Sequence, residues 1–220
     1  MFENLYKVMK NYSAFPMLLA SDRVKPGTLI ETSWSWFGFG NTPDKFKKEE
    51  GCPWNLLGMS DESAFYAEYP NVRRDASIIT GSITGKVEFG GDLALPQYGF
   101  SVTASFVEKE TVKFTVDGIE VCSFNAGYAD HELRLKLREL KDEDPVRWGW
   151  VNDDFLVSNS YYISNLCFEF SSDTKIDVEA TYKSLENSVS GGFKLKKTSD
   201  LKLELIGTAE TPFAVRGIKV

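Results

Sequence analysis

The chain has 220 residues, 42% hydrophobic and 26% charged, with a formal net charge of −7. This composition suits a single packed domain over residues 1–220 and excludes global disorder. The acidic balance argues against nucleic acid as a partner.

Residues 2–12 place Phe2, Leu5, Tyr6 and Met9 at helical spacing, with Glu3, Lys7 and Lys10 elsewhere. The spacing predicts a short amphipathic helix. It either docks on a sheet or lies on a membrane with Lys7 and Lys10 toward head groups. The start has no basic stretch followed by an apolar one, so no signal peptide is expected. Nor is there an apolar run of about eighteen residues, the length a transmembrane helix needs.

Pro26-Gly27 punctuates the chain before a β-prone run, Thr28-Leu29-Ile30-Glu31-Thr32. Then come Trp34, Trp36, Phe37 and Phe39, ended by Gly40. Such an aromatic cluster is either a strand end capping a core or an interfacial anchor, whose rings favour the head-group region. Residues 41–76 carry Pro43, Pro53, Gly58 and Pro70, which predict loops and short helical turns. Lys45, Lys47 and Lys48, and later Arg73-Arg74, read as solvated clusters.

From Ile79 the odd positions are Ile79, Gly81, Ile83, Gly85, Val87 and Phe89, while Thr80, Ser82, Thr84, Lys86 and Glu88 fill the even ones. A period of two predicts a long two-faced strand over about 78–89. A second run, about 98–108, alternates through Phe100, Val102, Ala104 and Phe106. Val112, Phe114 and Val116 resume the period, and Asp117-Gly118 predicts a hairpin turn leading to Ile119 and Val121. Asp130 is placed to cap a helix carrying Leu133, Leu137 and Leu140 and ending before Pro145. Trp148 and Trp150 flank a glycine before the next strand-like segment.

Phe155, Val157, Tyr161 and Ile163 hold one phase, and Leu166, Phe168 and Phe170 hold the other. The switch near Asn165 predicts a bulge or the end of one structural unit. Ile176, Val178, Ala180 and Tyr182 alternate with charged residues, extending a predicted strand over about 168–183. After Gly191-Gly192, Phe193, Leu195, Leu201, Leu203 and Leu205 share a last register over about 193–206, opposite Lys194, Lys196 and Lys202. Phe193 and Leu195 are expected to be exposed at rest, so that Leu195→Lys leaves the melting temperature nearly unchanged. The fold expected is α+β, a twisted antiparallel sheet of long amphipathic strands with short flanking helices.

Enzyme chemistry finds little support. His131, the single histidine, reads as a capping or solvated residue. Cys52, Cys122 and Cys167 are odd in number and widely spaced, which reads as reduced cytosolic thiols rather than a disulfide or zinc set. No phosphate loop, nucleophile elbow or zinc-protease motif occurs. No catalytic residue, metal or cofactor is expected.

The order of these features resembles the pore-forming domain of gasdermins. Trp34-Ser35-Trp36-Phe37 is similar to that family's Trp-rich loop after the first helix. Thr80 to Glu88 resembles its Gly-rich first inserting strand, and Asp153 to Val157 with Ile163 to Phe170 the strand before its second hairpin. Gly192 to Leu205 and Thr211 to Val220 resemble its closing strand and terminal run. The likeness covers most of the chain from about residue 28.

The resemblance implies a cytoplasmic protein that, once active, binds the cell membrane, oligomerises and inserts two β-hairpins as a transmembrane barrel. Lytic cell death follows, as in antiviral defence. Its implied partners are membrane lipids, further copies of itself in the pore, and an activating protease or inhibitory segment outside this chain. Fungal members without a repressor domain are regulated in another way. Bacterial members commonly carry a lipidated N-terminal cysteine, whereas the first cysteine here is Cys52. The expected membrane-binding residues are Phe2, Leu5, Lys7, Lys10, Trp34, Trp36, Phe37, Phe39, Lys194, Lys196 and Lys197. The expected inserting residues are Ile79, Ile83, Val87, Phe89, Phe100, Val102, Phe106, Ile176, Val178, Tyr182, Phe193, Leu195, Leu201, Leu203 and Leu205. The rival reading is a soluble cytosolic β-rich binding module associated with defence, with no membrane activity.

Overall fold

Phe155-Leu156-Val157 is the continuous apolar run of a strand covered on both faces, and in the computed structural model it begins the central strand of the larger sheet. The structure describes residues 15–16, 24–34, 41–46, 52–75, 79–84, 92–95, 100–103, 111–172, 177–185, 193–207 and 212–220. Strand β10 (Phe155–Tyr162) pairs along one edge with β14 (Ala214–Lys219), beside which lies the short β1 (Phe15–Pro16). Its other edge is shared. Phe155 and Leu156 pair with β2 (Leu29–Trp34), and Asn159 to Tyr162 pair with β9 (Glu120–Phe124). Strand β3 (Asn41–Phe46) extends the sheet beyond β2, and β4 (Asn71–Asp75) extends it beyond β9. A bulge between Val157 and Asn159 leaves Ser158 buried, and its hydroxyl donates to the Arg216 carbonyl at 3.2 Å.

Among the described residues the second sheet has five strands in the order β12-β13-β11-β8-β5, every neighbour antiparallel. They are β5 (Ile79–Thr84), β8 (Thr111–Asp117), β11 (Asn165–Phe170), β12 (Lys194–Ser199) and β13 (Lys202–Ile206). Strands β6 (Asp92–Leu95) and β7 (Phe100–Thr103) form a separate ribbon. Antiparallel sheets with helices on them make the fold α+β, as expected.

Helices cover the larger sheet. Helix α1 (Pro53–Leu56) opens on a proline, and α2 (Glu62–Glu68) is capped by Asp61, whose Oδ1 accepts the Ala64 N–H at 2.9 Å. Helix α3 (Ala129–Glu143) buries Ala129, Leu133, Leu137 and Leu140, one stripe at helical spacing. In α4 (Pro145–Val151) the Asp144 side chain accepts from the Arg147 N–H at 3.1 Å. Leu29, Phe65, Tyr69, Phe124, Leu156 and Val220 complete this core with the α3 stripe. The last helix, α5 (Val178–Leu185), packs on β12, β13 and β7.

Several expectations are corrected. Residues 176–183 were expected as a strand, yet α5 occupies Val178–Leu185. Residues 193–206 are a hairpin rather than one run, turning at Asp200 and Leu201. Asp117-Gly118 is no hairpin turn, because β8 pairs with β5 and β11 whereas β9 pairs with β4 and β10. Within 41–76, expected as loops and turns, lie β3 and β4. Trp148 and Trp150, ahead of the next strand as expected, sit on α4. Asp130 lies inside the first turn of α3 and does not cap it, since the N-cap residue is Tyr128. The phase switch near Asn165 does mark the end of a unit: β10 belongs to one sheet and β11 to the other.

Candidate functional site

Directly opposed residues of an antiparallel pair lie on the same face, so the register of the five-stranded sheet sorts its residues. One row runs Leu195, Leu205, Leu166, Val116, Ile79 across all five strands. A parallel row places Leu203 beside Phe168, Phe114 and Gly81, and a third places Phe170 beside Val112 and Ile83. Val116, Leu166, Phe168, Leu203 and Leu205 are fully buried. The alternate rows are polar: Lys196, Glu204, Cys167, Thr115, Thr80, then Lys202, Glu169, Lys113, Ser82. Lys113, Glu169, Lys194 and Lys196 are exposed, and Lys202 pairs with Glu204 at 3.7 Å. By register the sheet therefore divides into an apolar and a polar, mostly charged face, with Ile206 the exception among the described side chains of the polar one.

Lys197 breaks the pattern. It pairs in register with Leu203, which puts it on the apolar face, and its side chain is only 20% exposed. Its ammonium donates to Glu179 of α5 and to Asp200, the latter at 3.0 Å. Glu179 also receives Lys183 at 3.0 Å. Val178, at the start of α5, is 3% exposed. Helix α5 thus lies on the apolar face, tied down by the ion pair between Glu179 and Lys197. The Lys197 bond, then the Lys183 bond, holds the Glu179 carboxyl below the usual carboxylate range. Glu179 in turn, with Asp200, raises the Lys197 ammonium.

The expected site residues fall into groups. Leu195, Leu203 and Leu205 share the apolar face, and Ile79 and Ile83 fall in register with it. Phe193 and Leu195, expected to be exposed at rest, are 4% and 8% exposed. Leu201 lies in the β12–β13 turn, where its carbonyl accepts the Phe170 N–H at 2.8 Å. Val178 and Tyr182 are on α5, and Phe100 and Val102 are on the β6–β7 ribbon. Lys194 and Lys196 are solvated on the charged face, opposite Lys197. Trp34 ends β2, paired with Asn41. Phe2, Leu5, Lys7, Lys10, Trp36, Phe37, Phe39, Val87, Phe89, Phe106 and Ile176 lie outside the described residues.

One apolar surface escaped the sequence reading. Helix α4 buries Val151 but leaves Val146 and Trp150, one turn apart, 69% and 45% exposed. The only signal was the Trp148-Gly149-Trp150 run.

Elsewhere the polar clusters hold the fold together. Lys136 donates to the Tyr69 hydroxyl, and that bond, followed by those to Glu132 and Glu68, raises its pKa. Arg73 lies 4.1 Å from the Tyr162 ring centre and pairs with Glu120 at 3.5 Å. Burial pushes the Cys122 and Cys167 thiols up, away from the reactive thiolate. His131 is exposed, and among the described residues no three His, Cys, Asp or Glu gather as a metal set. Among them too, no helix is long and apolar enough to cross a membrane. No protein-family model matches the chain, and no curated protein matches it in sequence.

Proposed function

We propose that this is a non-enzymatic pore-forming protein of gasdermin type, which binds a membrane, oligomerises and inserts amphipathic strands as a β-barrel that lyses the cell. The observation that carries the reading is the division of the five-stranded sheet into one apolar and one charged face. A barrel strand needs that pattern, with apolar residues to lipid and polar ones to the lumen. A soluble sheet needs only a covered apolar face, and α5 supplies the cover at rest. In the pore, α5 leaves this face and its residues Val178 and Tyr182 join the inserted strands.

The test is dye release from vesicles with anionic lipid, combined with an environment-sensitive probe on single cysteines at 203, 204, 205 and 206. Release is expected, with the probe in lipid at 203 and 205 and in water at 204 and 206. A folded protein that binds no vesicles and releases no dye overturns the reading in favour of a soluble binding module.

The ion pair on α5 makes a smaller prediction. Glu179→Gln loosens the cover, so release speeds up by roughly two- to fivefold, the scale of a surface ion pair. A carboxyl whose pKa is lowered on folding stabilises above its unfolded value, about 4.3 for Glu, and loses that contribution as pH falls through the folded value. The rate gap between wild type and Glu179→Gln therefore persists from about pH 7 to about pH 5 and closes only below about pH 4. Rates measured across that range check it.

A further inference from the structure

Strands β8 and β9 follow one another, as do β10 and β11, and β8 pairs with β11 while β9 pairs with β10. The two sheets therefore share one long two-stranded ribbon, broken at the same level in both chains. The last row on the β8 side is Asp117 with Asn165, and the first on the β9 side is Glu120 with Tyr162. Only Gly118-Ile119 and Ile163-Ser164 lie between. Among the described residues no strand of one sheet pairs with a strand of the other.

This seam is built for close backbone approach. Gly118 has φ +56°, and a Cβ there would stand 2.2 Å from the Ser164 Oγ. Gly207, where β13 ends, is as tight, for its Cβ would stand 2.1 Å from the Ile163 carbonyl oxygen. Ser164 lies between the two glycines. Its N–H is 3.1 Å from both the Asp117 and the Gly118 carbonyls, and its own carbonyl accepts the Gly207 N–H at 2.9 Å. Three connections therefore meet along one line, with the Ser164 side chain against Gly118 and the buried Ile119 and Ile163 beside it.

An open pocket lies beside that line. A cavity of about 220 Å³ opens there, lined by Glu120, Tyr162, Ile163, Ser164 and Ile206 with the two glycines. Next to Ser164, the buried Asn165 Oδ1 has no hydrogen-bond partner among the described residues. Ile206 is 37% exposed. A cavity this small falls short of the roughly 300–1,000 Å³ of ordinary ligand pockets. It does leave open space on one side of the line where the two sheets join.

We infer that this seam is a hinge, about which the five-stranded sheet turns as a body relative to the larger sheet. Hinges are a few residues at element ends that absorb a large change in backbone angles, and Gly118, Ser164 and Gly207 stand where such residues must. The use of the motion, carrying the two-faced sheet from the body toward a bilayer, rests on the pore reading; the motion itself does not.

The experiment compares spin-label distances in solution, in a Cys52→Ser parent. Labels at Lys196 and Arg216, both exposed, report across the seam, and labels at Lys196 and Lys113 report within one sheet. The cross-seam distribution is expected to be clearly wider than the in-sheet one, as for bodies joined by a hinge. Ile206→Trp fills the cavity and narrows it to the in-sheet width, whereas Ile206→Ala leaves it wide, with melting temperatures showing that both variants fold. On vesicles, Ile206→Trp binds but releases less dye. A cross-seam width equal to the in-sheet width overturns the hinge, as does a folded Ile206→Trp that is as wide as wild type. A wide distribution narrowed by Ile206→Trp, in a protein that releases no dye, supports the hinge and overturns the pore reading.

Discussion

Leu205→Lys is expected to cost the folded state roughly 4–5 kcal/mol or more, the range reached when an unpaired charge is buried. Leu205 is fully buried, between Leu195 and Leu166 in the apolar row that crosses the sheet. Lysine there loses the leucine's burial and finds no carboxylate in its row. Total stabilities lie at about 5–15 kcal/mol, so a urea melt should show a large drop in midpoint or no folded baseline. On the opposite face, Lys196→Gln should change stability by less than about 0.5 kcal/mol. Equal tolerance of both changes would mean that the sheet is not divided into faces. Leu195→Lys also loses its value as a variant neutral to the resting fold, since Leu195 is buried in the same row. Tests of insertion need probes rather than charges on that side.

Phe65→Ala carries the second large effect. The Phe65 ring is fully buried, with centroids 5.1 Å from Tyr66, 5.2 Å from Tyr69 and 6.1 Å from Trp54. It also fills the space over Gly27, whose φ is +95° and whose Cβ would stand 2.7 Å from the ring. Truncation empties the place where α1, α2 and the turn before β2 converge, and costs about 3–5 kcal/mol. In a chain of this size that lowers the melting temperature by about 6–20 °C. Calorimetry checks it, and a shift of less than about 2 °C would mean that this cluster is not a core.

What the sequence revealed, and what it hid, follows from the range of each signal. The two faces of the five-stranded sheet were legible, because alternation in β5, β8, β11 and β13 is a property of each strand alone. The division between sheets at Asn165 was legible as a change of phase. Pairing was not. Asp117-Gly118 announces a bend, but only distant partners decide whether a bend joins a hairpin or two sheets. The segment that became α5 misled because Val178 and Tyr182 are four apart, two strand periods and close to one helical turn. Glu179 early and Lys183 late, an i,i+4 pair suited to the helix dipole, favoured the helix. The β12–β13 hairpin hid because its turn keeps Leu195, Leu203 and Leu205 in phase. Strand β3 hid because Asn41 to Phe46 has no alternation and contains Pro43, which an edge strand tolerates.

Strand parity in the smaller sheet has a consequence for assembly. Among the described residues, five strands with every neighbour antiparallel leave the outermost two, β12 and β5, running in the same direction. Copies related by rotation about an axis along the strands would meet with β5 of one beside β12 of the next, and that junction would be parallel. An antiparallel ring needs an even number of strands from each copy. Removing the β12–β13 hairpin as a pair leaves three, and adding the β6–β7 ribbon as a pair makes seven. Counted over the described residues, the resting sheet is thus odd, and a copy that joins such a ring edge to edge must gain or lose a single strand.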